Sequence, residues 1–275
     1  QTKATKREET YFKYILPKKK LDEVGDEVVQ WAEQRSAEIE QLKTNENYRK
    51  EFLQNLSHEI KTPIFSIQGY LEILADGAVE DSKAAMKYIG KSQANVQRLV
   101  QLVNDIDIIT NLEINKEPLL KQQFIIQDTI KDVENNLSFK LDKKAIQFSF
   151  KKGCETPIQV FADKNKIYQV LSNIITNAIK YGKQEGEITA SIYVLEDEKV
   201  LIEISDNGIG IAEEHIPRLF ERFYRTDDAR SRDVGGAGLG LAICKHIIEA
   251  HGESIQIRSK INVGTTVGFT LPSKG

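Results

Sequence analysis

The sequence predicts an α-helical first half, a hairpin that pairs into a four-helix bundle, followed by a mixed α/β sandwich. Three observations carry that expectation. Apolar residues recur at three- and four-residue steps from Leu21 to Thr110. After Leu112 the pattern changes to short strand-like runs separated by helical stretches. Two glycine clusters, at 208–210 and 235–240, lie among those runs rather than among the helices. The 275 residues exceed one typical domain, so two separate cores are expected.

The first 20 residues carry seven basic groups, from Lys3 to Lys20, against Glu8 and Glu9. Such an excess suits the cytoplasmic flank of a membrane span upstream of residue 1, and it equally suits a solvated tail. No run in the chain approaches the length of a membrane-spanning helix. From 21 to 46, Val24, Val28, Trp31, Ile39 and Leu42 mark a helix with a coiled-coil seam, weakened where Arg35 takes a seam step.

Residues 46–76 continue as a helix in which Leu53, Leu56, Ile60, Ile64, Ile67, Leu71 and Leu74 share one face, a stripe roughly 80° wide at 100° per residue. Asp76-Gly77 ends it, and Ser82 is placed to cap a second helix. There Ile89, Ser92, Val96, Leu99, Val103, Ile106 and Thr110 form an unbroken seam that a lone hairpin would leave partly uncovered. Two hairpins together would cover it, which predicts a homodimer.

His58 lies nearly opposite the apolar stripe and therefore faces water. A lone outward histidine is ordinarily a neutral surface residue. Its neighbours argue for more. Glu59 can accept a proton from the imidazole and leave the other ring nitrogen a better nucleophile. Thr62, one turn on, can orient a water near whatever His58 carries. Pro63 predicts a kink beside the histidine, and the outward Phe65 suggests a docking surface for a protein partner.

In the second half, strand-like runs fall at 147–150, 158–162, 188–195, 200–205, 255–259 and 266–271. Residues 164–181 read as an amphipathic helix with Ile167, Val170, Leu171, Ile174, Ile175 and Ala178 on one face, and Asn173, Asn177 and Lys180 on another. Two carboxamide oxygens and an ammonium suit magnesium with phosphates, although such a row is also an ordinary polar face. Asp206-Asn207-Gly208-Ile209-Gly210 follows a strand, so its carboxylate could accept an adenine amine proton; a bare GxG is also a common turn. Gly235-Gly236-Ala237-Gly238-Leu239-Gly240 runs into the helix 241–250, the backbone arrangement of an anion cradle. Between the clusters, Arg218, Arg222, Arg225, Arg230 and Arg232 fit either a basic lid over a triphosphate or a solvated loop.

Together these segments resemble the sensor histidine kinases of two-component signalling, over residues 47–272. Phe52 to Pro63 resembles the family's phosphoacceptor motif, Asn173 to Asn177 with Lys180-Tyr181 its N box, Asp206 to Gly210 the first glycine box, Leu219 to Arg225 the phenylalanine box, Gly236 to Gly240 the second glycine box, and Gly264-Thr265-Thr266 the last. The resemblance implies a coiled-coil signalling helix (21–46), a dimerisation and phosphotransfer hairpin (47–112), a hinge (113–119) containing Pro118, and a Bergerat-type (GHKL) ATP-binding domain (120–275). It implies ATP and Mg2+ as cofactors, and as partners a second copy and a response regulator that takes the phosphoryl group on an aspartate. His58 would attack the γ-phosphorus with Glu59 as base, and Thr62 sits at the family's phosphatase position. Asp206, assisted through water by Thr266, would bind adenine, with Tyr181 lining the base pocket. Asn177 and Asn173 would hold magnesium, and Lys180 and Arg225 the phosphates. Gly208, Gly210, Gly236, Gly238, Leu239 and Gly240 would supply close backbone approach. Ala237 departs from the Thr or Ser of many members, and Phe65 is bulkier than the residue many relatives carry there. The implied parent is a bacterial inner-membrane protein whose cytoplasmic portion this chain represents.

Other function classes fare less well. A net charge of -3 argues against a chain built for direct nucleic-acid binding. Cys154 and Cys244 lie ninety positions apart with no CxxC spacing, so neither a disulfide framework nor a zinc site is indicated, and a reducing compartment fits. His246 and His251 are offset by five residues and do not present two metal ligands on one helical face. A degenerate scaffold that binds ATP without catalysis is disfavoured by the intact His58-Glu59 and Asn173/Asn177 sets. An unrelated ATPase of the same nucleotide fold is disfavoured by the phosphoacceptor helix.

Overall fold

A computed structural model describes residues 18–110, 118–154, 156–226 and 237–274. The basic arm up to residue 17, residues 113–117 of the expected hinge, and Arg230, Arg232 and Gly236 lie outside the described residues. The chain divides into two compact units, Gln1–Ser57 and His58–Gly275.

Helix α1, Lys18–Ile73, runs without a break past residue 46, as the sequence predicts, because Glu, Gln and Lys between the seam residues are good helix formers. It holds Pro63 within its length. Proline removes one backbone donor, but side-chain hydroxyls add bonds along the same turns: Thr62 Oγ1 donates to the His58 carbonyl at 3.1 Å and Ser66 Oγ to the Thr62 carbonyl at 3.0 Å. The helix ends in a π segment, Leu74–Ala78, where Gly77 has φ 113°, a conformation other residues adopt at a cost. Helix α2, Ser82–Thr110, is capped by Asp81 rather than Ser82, since Asp81 Oδ1 accepts the backbone N–H groups of Lys83 and Ala84 at 2.9 and 3.3 Å.

The apolar seams are open in the single chain. In the first unit Val28, Trp31, Ile39, Leu42 and Leu53 are exposed, and in the second so are Ile64, Leu71, Ile89, Val96 and Val103. Among the hairpin's described apolar residues, Pro63, Ala85, Leu102 and Ile109 are buried.

The second half is an α/β sandwich. Five strands order as β2 (Gln147–Phe150), β4 (Glu187–Val194), β5 (Lys199–Asp206), β7 (Gly264–Pro272) and β6 (Ile255–Lys260). Only β2 and β4 are parallel; the other pairs are antiparallel. A separate two-stranded sheet joins β1 (Lys121–Ile125) to β3 (Gln159–Asp163). Helices α3 (Ile126–Lys143), α4 (Lys164–Tyr181) and α5 (Gly240–Ala250) complete the layer that packs on the sheet. Ile126, Ile130, Val133, Leu137 and Leu141 of α3 are buried at the spacing of an amphipathic helix. In α4 the predicted apolar set, Ile167, Val170, Leu171, Ile174, Ile175 and Ala178, is buried as a group. Asp163 caps α4, its Oδ1 accepting from the N–H groups of Asn165 and Lys166, both at 3.1 Å. Both cysteines are buried, and burial pushes the Cys244 thiol up to about 12, as fits a core thiol.

Candidate nucleotide and phosphoacceptor site

A cavity of about 910 Å3 opens within the second unit, bounded by α2 and the start of the phosphoacceptor segment on one side and by the sandwich on the other. Among the sequence-predicted residues its wall includes Glu59, Asn173, Asn177, Lys180, Tyr181, Asp206, Gly210, Arg225, Gly238, Leu239 and Gly240. His58 itself is solvent-exposed on α1, outside the cavity wall, while Glu59 beside it is half-buried and lines the wall. Phe65 is 64% exposed and Thr62 is exposed on the same helix.

Helix α4 supplies one wall because its apolar face is buried against the sheet and its other face is left for the cavity. Asn173 Nδ2 donates to the Gly240 carbonyl at 3.3 Å, tying α4 to the first turn of α5. The far end of α4 is held by Lys144, whose Nζ donates to the carbonyls of Ile179, Lys180 and Gly182 at 2.8, 2.9 and 3.2 Å. An ammonium at a helix C-terminus satisfies orphan carbonyls and complements the dipole, so Lys144 fixes the turn that carries Lys180 and Tyr181. The Lys180 ammonium lies 4.9 Å from the centre of the Tyr181 ring. Burial, with the repulsion of Arg225 and Arg98, lowers the Lys180 pKa to about 8. Burial also raises that of the Tyr181 phenol, against the opposing pull of Arg225.

Strand β5 delivers Asp206 to the cavity floor. Burial raises its carboxyl pKa, while hydrogen bonds from the backbone of Gly208 and Thr265 oppose that rise. The Gly208 N–H to Asp206 Oδ1 distance is 2.8 Å. The loop that follows is held against α4 and β6 at two points. Ile209 donates its N–H to the Tyr181 carbonyl at 3.2 Å, and at Gly210, with φ 68°, an added Cβ would come within 2.0 Å of the Lys260 carbonyl oxygen. Gly208 does not line the cavity; it permits the close approach of its loop to Tyr181, whose carbonyl oxygen a Cβ would meet at 2.6 Å.

Thr266 is not where the sequence reading put it. Thr266 pairs with Ser205 across β5 and β7 and their hydroxyls are 2.9 Å apart, whereas Thr265 pairs with Asp206 and lines the cavity. Side chains alternate between the faces of a strand, so the threonine beside Asp206 is Thr265.

Several polar lining residues had been given no role in the site. Arg98 of α2 donates from Nη2 to Glu59 Oε2 at 2.8 Å. Asp105, also on α2, has its carboxyl pushed up to about 6 by burial. His215 and Tyr224 lie at the wall with His215 Nδ1 2.8 Å from the Tyr224 hydroxyl, and the Arg218 guanidinium stacks 4.3 Å from the Tyr224 ring. No periodic signal marked these residues; their proximity arises from tertiary packing. Arg222, read as a lid residue, lies 3.1 Å from His246 Nε2.

Among the described residues no group of three His, Cys, Asp or Glu side chains could hold a metal ion. The donor chemistry fits an ion held chiefly by phosphate oxygens and water, to which a carboxamide such as that of Asn177 adds one neutral oxygen. Asn173, through Nδ2 on the Gly240 carbonyl, also joins α4 to α5, and its carboxamide oxygen is a second neutral donor of the same kind.

Comparison with known proteins agrees with this geometry. Residues 48–113 match the family model for the His Kinase A (phospho-acceptor) domain, and residues 162–275 that for the histidine kinase-, DNA gyrase B-, and HSP90-like ATPase. The chain is 38% identical over 232 residues to the sensor histidine kinase WalK of Bacillus subtilis, covering 82% of this chain and 37% of that protein. It is 36% identical over 233 residues to the sensor protein kinase WalK of Staphylococcus epidermidis, again spanning 37% of that relative's length. Among solved structures, the Acinetobacter baumannii histidine kinase AdeS is similar at a TM-score of 0.62 and 25% identity, over 79% of this chain and 98% of that one. The histidine kinase ThkA, solved in complex with the response regulator protein TrrA, is similar at 0.66 and 28% identity, over 82% of this chain and 61% of that one.

Proposed function

Because the chain belongs to the sensor histidine kinases of two-component signalling, we propose that it autophosphorylates His58 from Mg-ATP and passes the phosphoryl group to an aspartate of a response regulator. The observation that carries this reading is an exposed imidazole one residue from a carboxylate that lines a cavity rich in nucleotide-binding chemistry. Asp206 accepts the adenine amine proton, with Thr265 beside it, and Tyr181 lines the base pocket. Lys180, Arg225 and the backbone of Gly238 to Gly240 neutralise and orient the phosphates. Magnesium bound to the nucleotide would draw charge from the β- and γ-oxygens, and Asn177 is the side chain best suited to hold it. One ring nitrogen of His58 attacks the γ-phosphorus as the bond to the ADP oxygen breaks. The proton on the other ring nitrogen passes to Glu59.

Attack requires in-line approach, and His58 stands outside the cavity wall, so transfer needs the ATP-binding domain to move towards His58 or to meet the histidine of a second protomer. The open seams of α1 and α2 are what a homodimer would cover. Phe65, exposed near His58, gives the regulator an apolar contact. Thr62 orients the water that removes the regulator's phosphate, once its hydroxyl turns away from the His58 carbonyl. Among the described residues no helix is long and apolar enough to cross a membrane; the excess of basic groups in the first 20 residues supports a membrane anchor upstream in the parent protein, with this portion on the cytoplasmic side.

The test is incubation with γ-labelled ATP followed by acid and base treatment. Label that is acid-labile and base-stable, and that chases onto a purified regulator, is expected. Acid-stable label, or none, would overturn the reading.

A further inference from the structure

The residue that Glu59 contacts in this structure is not His58 but Arg98, and Arg98 belongs to the same hairpin rather than to the nucleotide-binding half. The pair is only partly solvated, with side chains 29% and 25% exposed, so its charges interact more strongly than a surface pair would. Both groups lie in the cavity wall. The charged groups that line the same cavity as Lys180 come from several elements: Glu59, Arg98 and Asp105 from the hairpin, Lys140 from α3, Asp206 from β5 and Arg225 from the loop after the short 3-10 helix Glu213–Arg218, with Tyr181, His215 and Tyr224 as further titratable groups, and of these Arg225 and Arg98 act on Lys180. Three cations near one another at a half-buried site repel, an arrangement that an anionic ligand relieves.

We propose that Arg98 is a positioning residue that holds Glu59 in an ion pair until the polyphosphate of ATP enters, then turns to the phosphates and leaves Glu59 available to His58. The proposal rests on the reading of the cavity as the ATP site. Nucleotide binding and release of the base are thereby coupled through one guanidinium. Arg98 shares its electrostatic surroundings with Lys180, since it is one of the two arginines that depress the ammonium. A triphosphate offers more negative charge to that cluster than the Glu59 carboxylate does, so exchange of partner is favoured when ATP is present and reverses as product leaves. No bond is made or broken in the exchange; the guanidinium stays protonated throughout.

The test is calorimetric titration of the full chain with the non-hydrolysable analogue AMPPNP and magnesium, from pH 7 to 10. Native affinity is expected to fall as pH rises past about 8, where Lys180 loses its proton in the free protein. Arg98→Gln should weaken binding at pH 7 by about tenfold, the scale of one partly screened charge-assisted contact. It should also move the alkaline fall to higher pH, because one repelling cation is gone, and Glu59→Gln separates a positioning role from the loss of charge alone. Arg98→Lys should restore most of the affinity. Glu59→Gln, which releases Arg98, should tighten AMPPNP binding while abolishing phosphohistidine formation, and this variant alone decides the matter should Arg98→Gln lose its helical circular dichroism. Native affinity and an unmoved pH profile in Arg98→Gln, or weaker binding in Glu59→Gln, would overturn the proposal. A native protein that binds AMPPNP yet never labels would instead remove the kinase reading and leave the ion-pair exchange standing.

Discussion

Replacing Asp206 by Asn separates binding from stability. In the folded chain the Asp206 carboxylate is part-buried, and burial raises its pKa despite hydrogen bonds from the backbone of Gly208 and Thr265. A carboxylate whose folded pKa lies above its unfolded value costs stability at neutral pH, because the unfolded chain releases the proton more readily. Asparagine has nearly the same shape, can still accept the Gly208 N–H that Asp206 takes at 2.8 Å, and carries no charge to desolvate. The nucleotide-free variant should therefore melt at the same temperature as the native protein or higher. Adenine recognition should suffer. The lost charge-assisted bond is worth roughly 1.5–3 kcal/mol, or about 10- to 150-fold in Kd. Calorimetric titration with ADP and AMPPNP, beside thermal melts without nucleotide, measures both quantities. Native affinity in Asp206→Asn would refute the adenine role, and a large fall in melting temperature would refute the account of its burial.

Other residues give sharper single outcomes. Asn177→Ala should weaken magnesium-dependent AMPPNP binding while leaving binding in EDTA nearly unchanged; equal loss in both conditions would remove its ligand role. Gly210→Ala forces a Cβ to within 2.0 Å of the Lys260 carbonyl oxygen, so the loop or the β6 end must shift; a Tm loss matching more than about 1–3 kcal/mol is expected, and an unchanged melt would contradict the local geometry. His251 is buried and neutral, its Nε2 accepting the Asp163 N–H at 3.0 Å and its Nδ1 2.7 Å from the Ile247 carbonyl. Burial, aided by Lys121, lowers its pKa against the opposing effects of Ile247, Asp163 and Glu253. The unfolded chain then takes up a proton first, so stability from this site is full above pH 6.5 and declines below it. Melting curves between pH 7.5 and 5.5 should show a smaller decline in His251→Gln than in the native chain.

The strands of the main sheet and helix α4 were legible because each is half-buried and its residue pattern therefore carries the burial. Strand β1 was not. Its sequence, Lys-Gln-Gln-Phe-Ile, offers only two apolar side chains, and pairing with β3 alone determines that it is extended. The cap of α2 was misplaced by one residue, since Asp81 and Ser82 are both good cap residues and only the backbone geometry decides which side chain accepts. The site was legible wherever a motif carries its chemistry in contiguous residues, as in Asn173 to Tyr181 and Asp206 to Gly210. A one-residue error exchanged Thr265 for Thr266, since the register between β5 and β7 decides which threonine faces the cavity. Arg98 and Lys144 act across long sequence separations, and no local pattern distinguishes them from other polar residues on helices and loops.

The account depends on one imidazole receiving phosphate from a nucleotide held by the same polypeptide family of residues. Mass spectrometry of peptides prepared at neutral to alkaline pH after incubation with Mg-ATP locates that phosphate directly. Modification at His58 alone, lost in His58→Ala while AMPPNP binding persists, is the expected result. Phosphate on any other residue of the native chain, or labelling that survives in His58→Ala, would contradict it.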